Sequence, residues 1–143
     1  MPEIYIVGVD DSEQSHRAIT YAAARAKAAS AELHLVLILE WSAFSFHTAE
    51  ELAERHKRRE EELDRANAVI QPLADDLKKA GVTATTEVRH GHVGELLCKI
   101  AEEKGAAQII VGRSGDSELS QRLLGSLAIT LAQASPVPVT IVP

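Results

Sequence analysis

Short apolar runs alternate with longer segments of helical periodicity along this chain of 143 residues, and this alternation restricts its fold more than any other feature. The first run, residues 4–9, is rich in β-branched residues and carries no charge, which is typical of a strand buried on both faces of a parallel sheet. Further strands are predicted at residues 33–39, 82–88, 108–111 and 137–142. Helices are predicted from the cap Ser12 to about Ala29, from the cap Thr48 to a stop at Gly81, from Val93 to Lys104 and from Ser126 to Ala134. Because a helix follows each of the first four strands, the sequence predicts one doubly wound α/β domain over residues 1–143, with a five-stranded, mainly parallel sheet covered by helices on both faces.

Two of the predicted helices carry features that can be checked directly. In the first helix, an inward stripe is predicted from residues that recur at spacings of three and four: Ala18, Tyr21, Ala22, Arg25 and Ala29. In the second helix, Pro72 lies inside the apolar stripe, and we expect it to kink or break the helix because proline lacks the backbone N–H.

Composition excludes several classes of protein. The 21 acidic residues outnumber the 15 basic ones and give a formal net charge of -6, which argues against a nucleic-acid-binding protein. A single cysteine, Cys98, rules out an internal disulfide framework or a multi-cysteine metal site and is compatible with a reducing cytoplasm, where we expect the protein to reside. The N-terminus lacks the basic start and long apolar stretch of a signal peptide. No apolar run approaches the roughly 18 residues of a membrane span, so none is expected.

Glycines follow the fourth predicted strand in the pattern Gly-x2-Gly-x9-Gly-Ser, formed by Gly112, Gly115, Gly125 and Ser126. In doubly wound sheets, ligands bind beyond the carboxyl ends of the strands. Glycine there permits positive φ and close approach of backbone N–H groups to an anion, and a helix N-terminus adds unpaired donors. The pattern therefore indicates a phosphate site, although the same residues also suit a plain turn followed by a helix cap.

These motifs together resemble the universal stress protein family. The resemblance rests on the opening segment at residues 7–15, on Val88-x-x-Gly91, on the glycine pattern and on the proline-bearing close at residues 136–139, and it covers essentially the whole chain. It implies a Rossmann-like fold related to the adenine-nucleotide α-hydrolases. Within the family, the complete glycine pattern marks the branch that binds ATP.

The resemblance also implies a role for each matching position. Val9 and Ile38 would line the adenine, and Asp10 would lie near the ribose and a divalent ion, Mg or Mn, that accompanies the nucleotide. The ribose and phosphates would be flanked by Val111, Gly112, Arg113 and Gly115, and the terminal phosphates by Gly125, Ser126 and Leu127. Two positions depart from the family pattern, Asp11 where glycine is common and Ala128 where a second hydroxyl residue is frequent, and we expect them to weaken binding without abolishing it.

The sequence thus predicts an ATP-binding regulatory protein of the stress response. We expect at most slow ATP hydrolysis, because no carboxylate or histidine can be assigned to position the attacking water. The alternative is a nucleotide-free stress protein that acts as a dimeric interaction module with an unidentified protein partner. An α-hydrolase ranks lower, because Asp10-Asp11-Ser12 stands where that class needs a Ser-Gly-Gly-x-Asp-Ser-like loop. A homodimer is expected through the last strand, residues 137–142, which would lie at the sheet edge.

Three other groups of residues were candidates for chemistry. His90 and His92 offer two ring nitrogens, but no third metal ligand stands near them in sequence. Cys98 lies inside an amphipathic helix and is interpreted as a packing residue. Trp41, Phe44 and Phe46 form an aromatic cluster near the ligand edge that suits a lid, a partner contact or a cover for the core.

Overall fold

The computed structural model describes residues 2–10, 12–40, 49–113 and 125–143. Its elements, in chain order, are β1 (Ile4–Gly8), α1 (Glu13–Ala29), β2 (Glu32–Leu39), α2 (Ala49–Lys79), β3 (Ala84–His90), α3 (Val93–Lys104), β4 (Gln108–Gly112), α4 (Ser126–Ala134) and β5 (Val139–Val142). In this part of the chain, no helix is both long enough and apolar enough to span a bilayer.

The five strands form one sheet in the order β3-β2-β1-β4-β5, and all four strand pairings are parallel. Helices α1 and α2 pack on one face, where they share a core with Val7 and Leu35. Helices α3 and α4 pack on the other face with Ile6 and Val36. The predicted doubly wound α/β fold is therefore confirmed.

Both faces of the central strands are apolar because successive side chains of a strand point to opposite sides. In β1, Tyr5 and Val7 enter the core beneath α1 and α2, and Ile6 between them enters the core beneath α3. In β4, Ile110 joins the first core, and its neighbour Ile109 joins the second. This explains why the central strands are unbroken apolar runs instead of alternating ones.

Helix α1 begins and ends where the sequence predicts, but its buried face is different. Ser12 is the N-cap, and its hydroxyl accepts a hydrogen bond from the backbone N–H of Ser15. Ala18 and Ala22 are buried as expected, whereas Tyr21 is 42% exposed and places its ring beneath the guanidinium of Arg25 on the outer face. The predicted stripe is therefore wrong at Tyr21, Arg25 and Ala29, which are exposed. The other buried residues of α1 are Gln14, Ser15, Ile19 and Ala26. Alanines occur all around this helix, so spacing alone does not single out the inner face.

Helix α2 continues through Pro72 for 31 residues without a break. The prediction of a break is wrong. Proline at position 72 removes one helical hydrogen bond, the one to the carbonyl of Ala68. Because Ala68 and Pro72 are both exposed, water can donate to that carbonyl instead. The predicted cap Thr48 lies outside the described residues.

Among the strands, β3 and β5 differ most from prediction. Strand β3 extends to His90, which is in register with Leu39 of β2, and Gly91 then turns the chain with a φ of 150° while its N–H donates to the Leu39 carbonyl at 2.9 Å. Strand β5 begins only at Val139, because Pro138 has no N–H for the ladder. Pro138 still contributes its carbonyl, which accepts from the N–H of Ile109 at 2.9 Å.

A chain of polar side chains, buried at His34 and exposed at Glu103, links β2, β3 and α3 at one side of the sheet. His34 is 4% exposed, and its Nδ1 lies 2.6 Å from the Thr85 hydroxyl. Its Nε2 lies 2.7 Å from Glu87 Oε1, so Nε2–H donates to the ionised carboxylate. Arg89 pairs with Glu87 and also with Glu103, whose Oε2 lies 3.1 Å from Nη2. Burial opposes the ionisation of Glu87, but the His34 hydrogen bond and the charge of Arg89 outweigh it and lower the pKa of that carboxyl below its ordinary value.

Replacing Glu87 with glutamine should make folding less dependent on acid pH. Because the folded-state pKa is lowered, the carboxylate stabilises the native state above its unfolded pKa and this stabilisation is lost as the pH falls through the folded pKa. Urea unfolding between about pH 6 and pH 3 should therefore show a shallower loss of stability in Glu87→Gln than in wild type, and a free energy of unfolding about 1 kcal/mol lower at neutral pH. Identical pH profiles for the two proteins would show that this chain is not a source of stability.

Candidate functional site

A cavity of about 330 Å³ opens at the carboxyl ends of β1 and β4. These neighbouring strands lead into helices on opposite faces of the sheet, which leaves a crevice between the helices. Nine of the ten predicted site residues line this one cavity: Val9, Asp10, Ile38, Val111, Gly112, Arg113, Gly125, Ser126 and Leu127. The tenth, Gly115, lies outside the described residues, as do Asp11 and the three aromatic residues Trp41, Phe44 and Phe46. The structure thus brings the predicted residues together, and nucleotide binding by them stays a prediction.

Hydrogen bonds fix the turn between β1 and α1 on the cavity wall. Asp10 Oδ1 accepts from the N–H of Ser12 at 2.8 Å, and the N–H of Asp10 donates to the Ser15 hydroxyl at 3.0 Å. Asp10 therefore has a structural role at the start of α1, beside the N-cap Ser12. Its side chain nevertheless remains exposed at the cavity, so the two roles are compatible.

Gly112 is a glycine because α1 lies close to it and not because of its φ. Among the described residues, the glycines with positive φ are Gly81, Gly91 and Gly105. A Cβ at position 112 would lie 3.0 Å from both the Cβ and the carbonyl oxygen of Gln14. A side chain at residue 112 would therefore push the first turn of α1 away from the end of β4 by a few tenths of an ångström.

The N-terminus of α4 is held at the cavity by the backbone. The N–H of Gly125 donates to the Arg113 carbonyl at 2.9 Å, and the N–H of Arg113 donates to the Val142 carbonyl at 2.9 Å. Gly125 is the N-cap, with φ of -67° and ψ of 158°, and no side chain caps the helix. Among the described residues, no side chain accepts a hydrogen bond from the first N–H groups of α4, and the helix dipole favours negative charge at this end.

The cavity combines apolar walls with a few polar groups. Its apolar lining comes from the ends of β1, β2 and β4 and from the first turns of α3 and α4. These residues are Val9, Val36, Ile38, Val93, Val111 and Leu127. Arg113 supplies a positive charge, and Asp10 and Glu40 supply negative ones. Such a lining suits a ligand with a flat apolar part and an anionic part, provided that a cation offsets the two carboxylates.

Several residues in this wall were not predicted as site residues: Gly8, Ser12, Gln14, Ser15, Val36, Glu40, Val93 and Ala128. Ser12 and Glu40 stand directly beyond strand ends, so the strand-end rule points to their neighbourhood. Gln14 and Val93 lie inside the first turns of helices, where no sequence signal distinguishes them from ordinary helical residues. Within the part of the chain that the structure describes, Gln14 Oε1 and Arg113 Nε are buried without a hydrogen-bond partner.

The remaining candidates do not join this site. His90 lies 3.3 Å from Glu62 on α2, and within the described ranges no group of three or more histidine, cysteine or acidic residues could hold a metal ion. Cys98 is half-buried in α3 against the second core. Burial raises the pKa of the Cys98 thiol, and the nearby carboxylate of Glu102 raises it further. Its thiol therefore stays protonated at neutral pH, as expected for a packing residue.

Comparison with known proteins agrees with the fold and the motifs. A model of the universal stress protein family matches residues 1–143. This chain belongs to the universal stress protein family. It is 31% identical over 144 residues to a universal stress protein of Mycolicibacterium smegmatis, of which it spans 47%, so it covers about half of that relative's length. It is 28% identical over 148 residues to the universal stress protein YxiE of Bacillus subtilis, with 96% of each chain covered.

Solved structures of universal stress proteins share the fold. UspA of Lactobacillus plantarum superposes with a TM-score of 0.85 at 18% identity, covering 99% of this chain and 97% of UspA. A universal stress protein solved in complex with cAMP has a TM-score of 0.70 at 26% identity and covers 99% of this chain and 97% of its own. One from Archaeoglobus fulgidus, solved in complex with dAMP, has a TM-score of 0.69 at 18% identity, with 100% and 98% of the two chains covered.

Replacing Gly112 with alanine should destabilise this universal stress protein. The new methyl group would meet the backbone of Gln14, which cannot yield without moving α1 away from β4. We expect the free energy of unfolding, measured by urea denaturation, to fall by about 1 to 3 kcal/mol. A change in the free energy of unfolding below about 0.5 kcal/mol would show that α1 does not pack tightly against Gly112.

Proposed function

We propose that this universal stress protein binds ATP together with Mg or Mn in the cavity between β1 and β4, and that it acts as a regulatory nucleotide-binding protein of the stress response in the cytoplasm. The observation that carries the proposal is the convergence of nine predicted nucleotide-binding residues on one cavity beside the uncapped N-terminus of α4. The relative solved with cAMP, at 26% identity, supports an adenine nucleotide as the ligand class.

The arrangement of the wall supports one orientation of the nucleotide. Val9 and Ile38 lie on β1 and β2 and provide apolar surface for the adenine ring. Gly125, Ser126 and Leu127 lie on the other side of β1, where the N–H groups of α4 and the Ser126 hydroxyl are suited to the terminal phosphates. Arg113 and Gly112, between the two regions, would contact the ribose and the inner phosphates.

The charges of the site favour a nucleotide that carries its own cation. Asp10 and Glu40 would repel the phosphates, and Arg113 alone does not balance them. Carboxylate and hydroxyl oxygens are the ligands that Mg and Mn prefer, so Asp10 and Ser126 fit such an ion. Since the described residues contain no complete protein-only metal group, the phosphates themselves would supply the other ligands. The bound ion would neutralise phosphate charge.

Regulation is proposed in preference to fast catalysis. Phosphoryl transfer needs a group that orients the attacking nucleophile. Asp10 already accepts a backbone hydrogen bond in the turn before α1. We therefore expect at most slow hydrolysis, with the bound nucleotide biasing conformation or assembly.

A nucleotide-free interaction module is the second candidate, and two observations favour it. Gly112 is explained by its contact with Gln14, and Asp10 by its hydrogen bond to Ser12, without any ligand. In this alternative, the glycine pattern serves only to shape turns, and the protein acts through an unidentified protein partner.

We also propose a homodimer formed through β5. This strand lies at the edge of the sheet and pairs only with β4 within the chain that the structure describes. The unpaired backbone groups on its outer edge could pair with a second copy. Charged substitutions at Val139 or Ile141 are a poor test, because both side chains pack against the second core and their replacement would also weaken the fold.

Native mass spectrometry of gently purified protein tests function and assembly together. The proposal predicts a species of two chains that carries ATP, either co-purified or after addition of ATP and magnesium. A dimer that stays empty at millimolar ATP with magnesium would contradict ATP binding and support the interaction module. A nucleotide-bound monomer would contradict only the proposed dimer.

Replacing Ser126 with alanine should weaken ATP more than AMP. The lost hydroxyl would contact the terminal phosphates, which AMP lacks, so we expect calorimetry to show about a fivefold to tenfold loss for ATP and little change for AMP. Thr20→Ala, which removes an exposed hydroxyl of α1 outside the cavity, is the control and should leave both affinities unchanged. Equal losses for ATP and AMP would contradict a phosphate contact.

A further inference from the structure

A hydroxyl, an imidazole and a carboxylate are hydrogen-bonded in series on β2 and β3. Thr85 is in register with His34 of the neighbouring strand, and Glu87 lies two residues further along β3, so the three side chains share one face of the sheet. His34 Nδ1 lies 2.6 Å from Thr85 Oγ1, and His34 Nε2 lies 2.7 Å from Glu87 Oε1. These three residues, the His34 network, do not line the cavity between β1 and β4, so their chemistry is independent of the proposed nucleotide function.

The directions of the two hydrogen bonds follow from the chemistry of the groups. The ionised carboxylate of Glu87 can only accept, so in the neutral imidazole the ring proton is on Nε2. Nδ1 then carries the lone pair and accepts the hydroxyl proton of Thr85. The Thr85 hydroxyl therefore donates to a base that a carboxylate orients. Serine hydrolases join the same three kinds of group, with the two ring nitrogens in exchanged roles.

Burial differs between the base and the hydroxyl residue. His34 is 4% exposed, whereas Thr85 is exposed at the edge strand β3. A reagent in solution can therefore reach residue 85, while the ring of His34 is shielded from bulk water. Glu87 is itself held by a second partner, because its other carboxylate oxygen pairs with Arg89. The group that orients the imidazole is thus fixed in place.

We propose that Thr85 is a nucleophile that accepts an acyl group from an activated ester, with His34 as its general base and Glu87 as a positioning residue. Thr85 Oγ1 forms a bond to the carbonyl carbon of the ester, and its proton moves to His34 Nδ1. The bond from that carbon to the leaving alcohol then breaks, and the alcohol takes the proton from Nδ1. Glu87 stabilises the imidazolium between the two steps. The products are an ester on Thr85 and a free alcohol, and nothing is oxidised or reduced.

A structural role alone is the competing explanation, because a buried histidine needs partners for both of its ring nitrogens. The two explanations differ in the reactivity that they predict for the Thr85 hydroxyl. A hydroxyl that donates to a purely structural partner should react no faster than another hydrogen-bonded threonine. A hydroxyl with a general base should react faster, because its proton is removed as the new bond forms.

Acetylation of the wild-type protein by p-nitrophenyl acetate near neutral pH, followed by peptide mapping with mass spectrometry, is the first test. Thr20 is the internal reference, because it is also exposed and its hydroxyl is also hydrogen-bonded, but to the carbonyl of His16. We expect Thr85 to be acetylated at least about tenfold faster than Thr20. Acetylation that spares Thr85, or equal rates at the two threonines, would overturn the proposal.

A pair of variants at position 85 separates the hydroxyl from the fold. Thr85→Ser keeps a hydroxyl and should still be acetylated at this position, within about threefold of the wild-type rate. Thr85→Val keeps the branched shape and should lose the modification at this position. Acetylation of the Thr85→Val protein on the same peptide at the wild-type rate would overturn the assignment to Thr85.

The role of Glu87 is tested by Glu87→Gln, in protein that urea titration shows to be folded. The amide can donate as well as accept, so it no longer fixes the ring proton of His34 on Nε2. The acetylation rate at Thr85 should fall at least about tenfold. Glu103→Gln is the matched control, because it changes an exposed partner of Arg89 without contacting His34, and it should keep the wild-type rate. An undiminished rate in Glu87→Gln, or an equal fall in both variants, would overturn the positioning role of Glu87.

Discussion

The crevice at the centre of this molecule depends on the close approach of two helices to the ends of two neighbouring strands. Two glycines make this approach sterically allowed. A Cβ on Gly112 would meet Gln14 of α1 at 3.0 Å, and one on Gly8 would meet Val111 of β4 at 3.0 Å and Leu97 of α3 at 3.3 Å. The absence of side chains at these two positions lets α1 and α3 pack closely against opposite faces of the β1–β4 pair.

Local hydrogen bonds position the polar groups at the crevice. The turn after β1 uses Asp10, Ser12 and Ser15 to satisfy its own backbone and to start α1. The segment after β4 is closed by the hydrogen bond from Gly125 to the carbonyl of Arg113, which brings the start of α4 next to the end of the strand. Of these two helix starts, α1 is capped by the Ser12 side chain, whereas the N-cap of α4 is Gly125, which has no capping side chain. In the proposed complex, the start of α4 would therefore be the part of the site that meets phosphate.

Much of this arrangement could be predicted from sequence. The five apolar runs predicted the parallel sheet, because strands that are buried on both faces are continuously apolar and do not alternate with polar residues. The rule that ligands bind at the carboxyl ends of strands pointed to Asp10 and to the segment that starts at Gly112. Nine of the predicted site residues do line one cavity, although their predicted role is a matter for experiment.

The errors have physical causes that a single sequence does not reveal. Pro72 interrupts no buried hydrogen bond, because its side of α2 faces water, and exposure cannot be read from a proline alone. By spacing, Tyr21 belongs to the apolar stripe of α1, but alanines on every side of the helix make two orientations equally consistent with that spacing. Gln14 resembles an ordinary polar residue in the first turn of a helix. Its burial depends on tertiary packing, in which the Cβ and backbone of Gln14 lie against Gly112.

Hydrogen exchange measured by mass spectrometry, with and without ATP and magnesium, tests most directly whether the crevice is the nucleotide site. The account predicts slower exchange in the segments that line it, at residues 8–15, 111–113 and 125–128, with no change at the opposite end of the sheet near residues 80–84. Protection confined to other parts of the chain, or no protection at saturating ATP, would contradict it.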